Sequence, residues 1–172
     1  MKRIVLFLLL ALLTAACERL GGLPQAAASP NAAPRLCAAA DLQGSSSSNG
    51  AGGAIQIGVT LINVSKSPCI LVGPPQITLK SGSAALAVQV VQAAAALTPP
   101  APAGLSIAPG NGAIAILLWH NYCGTTLSGV TIHFTITTDQ GLDVQAGAEA
   151  LPHCEVPGEP STLTVQQYSY PP

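Results

Sequence analysis

The chain has 172 residues, of which 49% are apolar but only 3% aromatic and 8% charged, with 15 Pro and 17 Gly. That length suits one domain with a leader and a linker, and the composition calls for a core of Ala, Val, Ile and Leu carried on short strands, not a helical bundle. Formal net charge is −1, and from Cys37 onward Lys66 and Lys80 face six carboxylates, a net of −4; with no basic stripe to neutralise phosphates, nucleic acid is excluded as a partner.

Residues 1–16 have the three parts of an export signal: basic Lys2 and Arg3, apolar Ile4 to Leu13, and the small residues Thr14-Ala15-Ala16. The apolar part is ten residues long, and a resident membrane helix needs roughly 20. Leu13-Thr14-Ala15-Ala16-Cys17 resembles the bacterial lipobox, with Thr14 where Leu is usual, so Cys17 is expected to carry lipid and to begin the mature chain. Removing Cys17 from the five cysteines leaves an even four. Residues 17–35, rich in Ala, Pro and Gly, read as a disordered tether, and residues 36–172 as the folded domain.

Within that domain, Gln43 to Gly53 is dominated by Ser and Gly and reads as a flexible loop. From Ala54 the period becomes two: Ile55, Ile57, Val59 and Leu61 form one face of a strand ending at Asn63. Asn63-Val64-Ser65 matches a glycosylation sequon but reads as a turn in an exported bacterial chain. Two short extended pieces flank Gly73-Pro74-Pro75, another strand covers Leu86 to Val91, and a Pro/Ala-rich connection covers Ala93 to Gly104. Ile114 to Cys123, entered through Pro109-Gly110-Asn111-Gly112, is the longest apolar run outside the leader and reads as the central buried strand. Val130, Ile132, Phe134 and Ile136 share a strand face, and Leu142 to Ala148 and Leu163 to Tyr168 complete the set. About seven to eight antiparallel strands with no helix predict an all-β, immunoglobulin-like sandwich.

Export places Cys37, Cys69, Cys123 and Cys154 where disulfides persist. Four cysteines allow three connectivities. Cys37–Cys69 with Cys123–Cys154 is favoured, because it pins an N-terminal and a C-terminal loop to strand ends. No Cys-x-x-Cys pair supplies zinc-ligand spacing. His120, His133 and His153 are the metal candidates, and a Cys123–Cys154 bond would draw His120 and His153 together. Met1 is the only methionine, which argues against a soft copper site. Asp139 and Asp143 flank Gln140-Gly141, read as a hairpin turn with solvated acids. No nucleophile motif is present, so neither enzymatic activity nor a cofactor is expected. Trp119, Tyr122, Tyr168 and Tyr170 could form a sugar-stacking patch, but a lone strand Trp beside a Cys reads as core. If the strand continues to Cys123, Trp119 and Cys123 share its parity, which predicts that Trp119 packs near the Cys123–Cys154 bridge.

One spaced frame joins these features: Cys37, Gly53-Ala54-Ile55, Leu61-Ile62-Asn63-Val64-Ser65, Pro68-Cys69-Ile70-Leu71 and Gly73-Pro74-Pro75, then Pro109-Gly110, Leu118-Trp119, Cys123 and Cys154. Over roughly Leu36 to Gln167 the chain resembles the bacterial exported domain-of-unknown-function family numbered forty-two thirty-two. That resemblance implies a lipoprotein or secretion signal, a low-complexity tether and one β-sandwich, and it implies no activity. The expectation is a non-enzymatic binding or structural module of the cell envelope. It would be held to the membrane through lipid on Cys17 and face envelope proteins or cell-wall polymer. A small-ligand or metal carrier using the His120/His153 end is the alternative.

Overall fold

Alternation along Ile55, Ile57, Val59 and Leu61 buries one face of a strand that pairs antiparallel with the Trp119 strand, and this pair is the centre of the molecule. The computed structural model describes residues 35–51, 53–93, 104–127, 129–147 and 151–172, all within the unit Pro34–Pro172. The expected leader 1–16, Cys17 and all but the last residue of the tether 17–35 lie outside the described residues.

In chain order the strands are β1 (Arg35–Leu36), β2 (Leu42–Ala51), β3 (Ala54–Asn63), β4 (Cys69–Val72), β5 (Gln76–Ser81) and β6 (Ala84–Ala85). They continue as β7 (Val88–Gln92), β8 (Gly104–Ile107), β9 (Gly112–His120), β10 (Thr131–Thr137), β11 (Gln140–Gln145) and β12 (Ser161–Val165). One 3-10 turn, Ala39–Asp41, is the only helical piece among the described residues. A five-stranded sheet has the order β2-β3-β9-β12-β7, a four-stranded sheet β11-β10-β5-β6, and a three-stranded sheet β1-β4-β8. The fold is all-β and sandwich-like, as expected, with more strands than the seven to eight read from the sequence. Two pairings, β1 with β4 and β12 with β7, are parallel, not antiparallel.

The core lies between the two larger sheets. Ile57, Val59, Leu61, Leu117, Trp119, Leu163 and Val165 come from one side, and Leu79, Ile132, Phe134 and Val144 from the other. Each fully buried Leu, Ile, Val or Phe contributes roughly 1.5–3 kcal/mol relative to exposure. Sizes are matched across β3 and β9: Leu61 stands opposite Ala113 and Val59 opposite Ala115. The turn into β9 has the geometry its sequence asks for. Ala108 C=O accepts Asn111 N–H at 3.0 Å across Pro109-Gly110, and Gly110 has φ 78°, the positive angle that a type II turn requires.

Gln43–Gly53 is not the flexible loop its composition suggests, because Leu42–Ala51 is the ten-residue strand β2. Small residues are required on its inner face. A Cβ on Gly44 would collide with Val144, Ser46 Oγ donates to the Gln145 carbonyl at 2.5 Å, and Ser48 packs against Gly147. Those residues bring β2 onto β11 and close that side of the sandwich. Three other boundaries shift. The Leu86–Val91 piece divides between a crossing after β6 and strand β7, the Asp139 hairpin turns at Thr138-Asp139 instead of Gln140-Gly141, and β12 ends at Val165. Beyond β12 the chain still follows β9, with Gln166 N–H bonded to Ile116 C=O and Ser169 bridged to Ile114.

Candidate functional site

Cys37 is bonded to Cys69 and Cys123 to Cys154, with Cα atoms 4.8 and 4.6 Å apart. The two bridges differ in environment. Cys37 and Cys69 belong to the core at 2% and 0% exposure, whereas Cys123 and Cys154 are exposed. A buried asparagine organises the chain beside each bridge. Asn63 is fully buried; its Nδ2 donates to the carbonyls of Ser67 and Ile107, both at 2.9 Å, and its Oδ1 accepts from Ser65 N–H and Ser65 Oγ. The sequon asparagine thus ties the loop before Cys69 to the end of β8. Asn121 plays the same part at the other end. Its Oδ1 accepts from the N–H groups of Glu155 and Val156, and its Nδ2 donates to Val156 and Glu159 carbonyls. Composition gives no sign of either role; a lone Asn at a strand end is the only signal.

Asn121 also breaks the shared parity on which the expected packing of Trp119 near Cys123–Cys154 rests. It adopts φ 52°, the left-handed region that Asn tolerates better than most residues. The strand therefore stops at His120 and the shared parity of Trp119 and Cys123 is lost. Trp119 points into the core with Ala113, Ala115 and Leu117, whereas Cys123 and Cys154 are exposed. Its indole N–H donates to Ser161 Oγ at 2.8 Å, Ser161 Oγ donates in turn to His120 C=O, and Tyr122 meets the ring edge-on at 5.4 Å. The aromatic residues form no shared platform: Trp119 is buried, Tyr122 covers it, Tyr168 is half-buried elsewhere and Tyr170 is 59% exposed.

His120 ends β9, and His153 lies exposed beside the Cys123–Cys154 bridge, so both belong to one end of the sandwich. Among the described residues no three His, Cys, Asp or Glu side chains cluster to hold a metal. His133 finds a partner that the sequence reading missed. Cross-strand register places it opposite Asp143, whose Oδ1 lies 2.5 Å from His133 Nδ1, with Lys80 Nζ at 3.7 Å. The hydrogen bond from His133 holds the Asp143 carboxyl below its ordinary range, and the charges of Lys80 and His133 act the same way. Asp139 stays in its turn beside Thr138, so the two aspartates do not form a pair.

A concave feature lies elsewhere among the described residues. A groove of about 270 Å³ opens at the end of β9 opposite His120, lined by Leu36, Ile70, Val72, Pro74, Ile136 and Tyr168, with the hydroxyls of Thr135, Thr137 and Thr138 at one wall. It falls slightly below the usual size of a small-molecule pocket and carries no charged side chain. Burial pushes the Tyr168 phenol above its ordinary pKa. None of Trp119, His120, His133 or His153 lines it.

No curated protein and no solved structure matches the chain. The family model described as "Domain of unknown function (DUF4232)" matches residues 37–167, from the first cysteine of the buried bridge to just past β12. That stretch holds both disulfides, both asparagine hubs and eleven of the twelve strands, β1 alone preceding it. The chain belongs to the DUF4232 family.

Proposed function

We propose that this chain is a lipid-anchored, extracytoplasmic sandwich that serves as a non-enzymatic binding or structural module of the bacterial cell envelope. One observation carries the reading: four of the five cysteines are used in two disulfides within the domain, which leaves Cys17, at the lipobox position, as the odd one. Disulfides of this kind persist in oxidising compartments outside the cytosol. A single acyl chain gives only marginal membrane binding, so stable anchoring at Cys17 calls for a second chain or a second contact. The surface supports a binding or structural role: the His133–Asp143 pair lies on an open sheet face, and the groove holds no charged or paired acid–base group. The test replaces the acylation site. Cys17→Ser should move the protein from the membrane fraction into the periplasm or medium and abolish incorporation of labelled fatty acid. Unchanged membrane association of that variant would refute the anchor.

A further inference from the structure

The sheet edges among the described residues are guarded unequally. β2 and β11 close on each other through Ser46 and Gln145, and β1 and β6 are two residues long. The Tyr170 hydroxyl donates to the Ser106 carbonyl of β8. That leaves β7, Val88-Gln89-Val90-Val91-Gln92, which pairs on one side only, with β12, and exposes Val90 and Val91 at 40% and 44%. It carries no charge, proline or bulge, the features with which edge strands usually prevent further pairing. Ala93 N–H bonds to Val165 C=O on the β12 side. By the two-residue period, Gln89 and Val91 also face β12, and Val90 and Gln92 turn their N–H and C=O groups to the open side.

We propose that β7 pairs antiparallel with β7 of a second copy of this chain, joining two five-stranded sheets across a two-fold axis at Val90. The sequence is self-complementary in that register: Val90 faces the second copy's Val90, Gln89 faces its Val91, and Val88 faces its Gln92. No charge is brought against a like charge, and β-branched residues meet at the centre, where such cross-strand pairs stabilise a sheet. Val88 N–H is already bonded to Leu86 C=O, so about four backbone hydrogen bonds cross the junction, two at Val90 and one at each Val88–Gln92 pair. Val90 shares its face with Leu163, its register partner on β12, which is fully buried; pairing thus continues the core of each copy toward the other.

The test is sedimentation equilibrium of the full chain in mild detergent, using whichever cell fraction holds it. The outcome does not depend on the anchor. Val90→Pro removes the open-side N–H and leaves the β7–β12 ladder intact, a place where an edge strand tolerates proline. Val90→Lys keeps the backbone and sets two ammonium groups against each other. The wild-type chain should be dimeric at about 100 µM, a range suited to pairing over a short edge, and each variant should weaken the dimer at least tenfold. Trp119 emission should remain that of the folded protein; if proline disturbs folding, the lysine variant decides. A monomeric wild-type chain, or a dimer that survives Val90→Lys, would overturn the proposal.

Discussion

Replacing Asn63 by Ala removes four hydrogen bonds at once, two donated by Nδ2 and two accepted by Oδ1. Each is worth about 1 kcal/mol net, and the buried Ile107 carbonyl left without a donor adds a desolvation cost of about 1–3 kcal/mol. The sum, with some relaxation of the loop, is about 3–5 kcal/mol, a large share of the roughly 5–15 kcal/mol that holds a domain together. Asn63→Asp separates the two halves of the network. A carboxylate there still accepts from Ser65 but opposes the carbonyl oxygens of Ser67 and Ile107, so its folded pKa rises above the unfolded value of about 3.9. A group with a raised folded pKa contributes most below its unfolded pKa and loses that contribution as pH rises through the folded value. Asn63→Asp should thus be strongly destabilised at neutral pH and recover toward wild type as pH falls to about 4, while Asn63→Ala shows no such recovery. Urea unfolding followed by Trp119 fluorescence at both pH values measures this directly. An alanine variant within about 1 kcal/mol of wild type would refute the reasoning.

Two further outcomes are expected. Graded reduction with alkylation and peptide mapping should label Cys123 and Cys154 before Cys37 and Cys69, because thiol attack needs access and only the first pair is exposed; each bridge closes a loop worth about 3–4 kcal/mol in the chain-entropy model. At low pH, Asp41 should matter. Its hydrogen bond from Arg35, then that from Ala38 N–H, lower its pKa, so its contribution is present above the unfolded value of about 3.9 and disappears as pH falls through the lower folded value. The stability gap between wild type and Asp41→Asn should narrow as pH falls below the unfolded value of about 3.9, and a gap that is constant from neutral to acid would count against the pair.

The sequence reveals those parts of the fold that a local pattern encodes. The alternation of β3, the Pro109-Gly110 turn and the apolar run of β9 each state their own structure in a few residues. The cysteine pairing follows from loops that must reach strand ends. β2 stayed hidden because the contact it makes, sheet against sheet at Gly44, Ser46 and Ser48, demands the same small residues that a loop uses. The parallel partners of β1 and β7 lie far away in sequence and leave no local trace. The shared parity of Trp119 and Cys123 fails because one residue, Asn121, leaves the extended region and resets the alternation after it. At the candidate sites, the His133–Asp143 pair is not legible: the hairpin turns two residues before Gln140-Gly141, and an irregularity between Thr135 and Thr137 shifts the register again.

The place where the chain enters the domain gives the molecule a direction. Arg35 is held by Asp41 and Ser65 at the Asn63 end of β3. β3 runs ten residues from there to Ala54, about 30 Å at the usual rise per residue. At that far end stand the exposed disulfide, His153, Glu155 and Glu159, with Glu155 lying over Gly53 at the hairpin tip. Among the described residues this pole has two carboxylates and no Lys or Arg, whereas at the entry pole Arg35 is paired with Asp41. Arg35 enters through β1, so a force on residue 35 would reach the domain first through the Arg35–Asp41 pair, the β1–β4 ladder and the Cys37–Cys69 bridge, and not through the hairpin of β2 and β3. The pole with Glu155 and Glu159 stands about 30 Å from that entry point along β3.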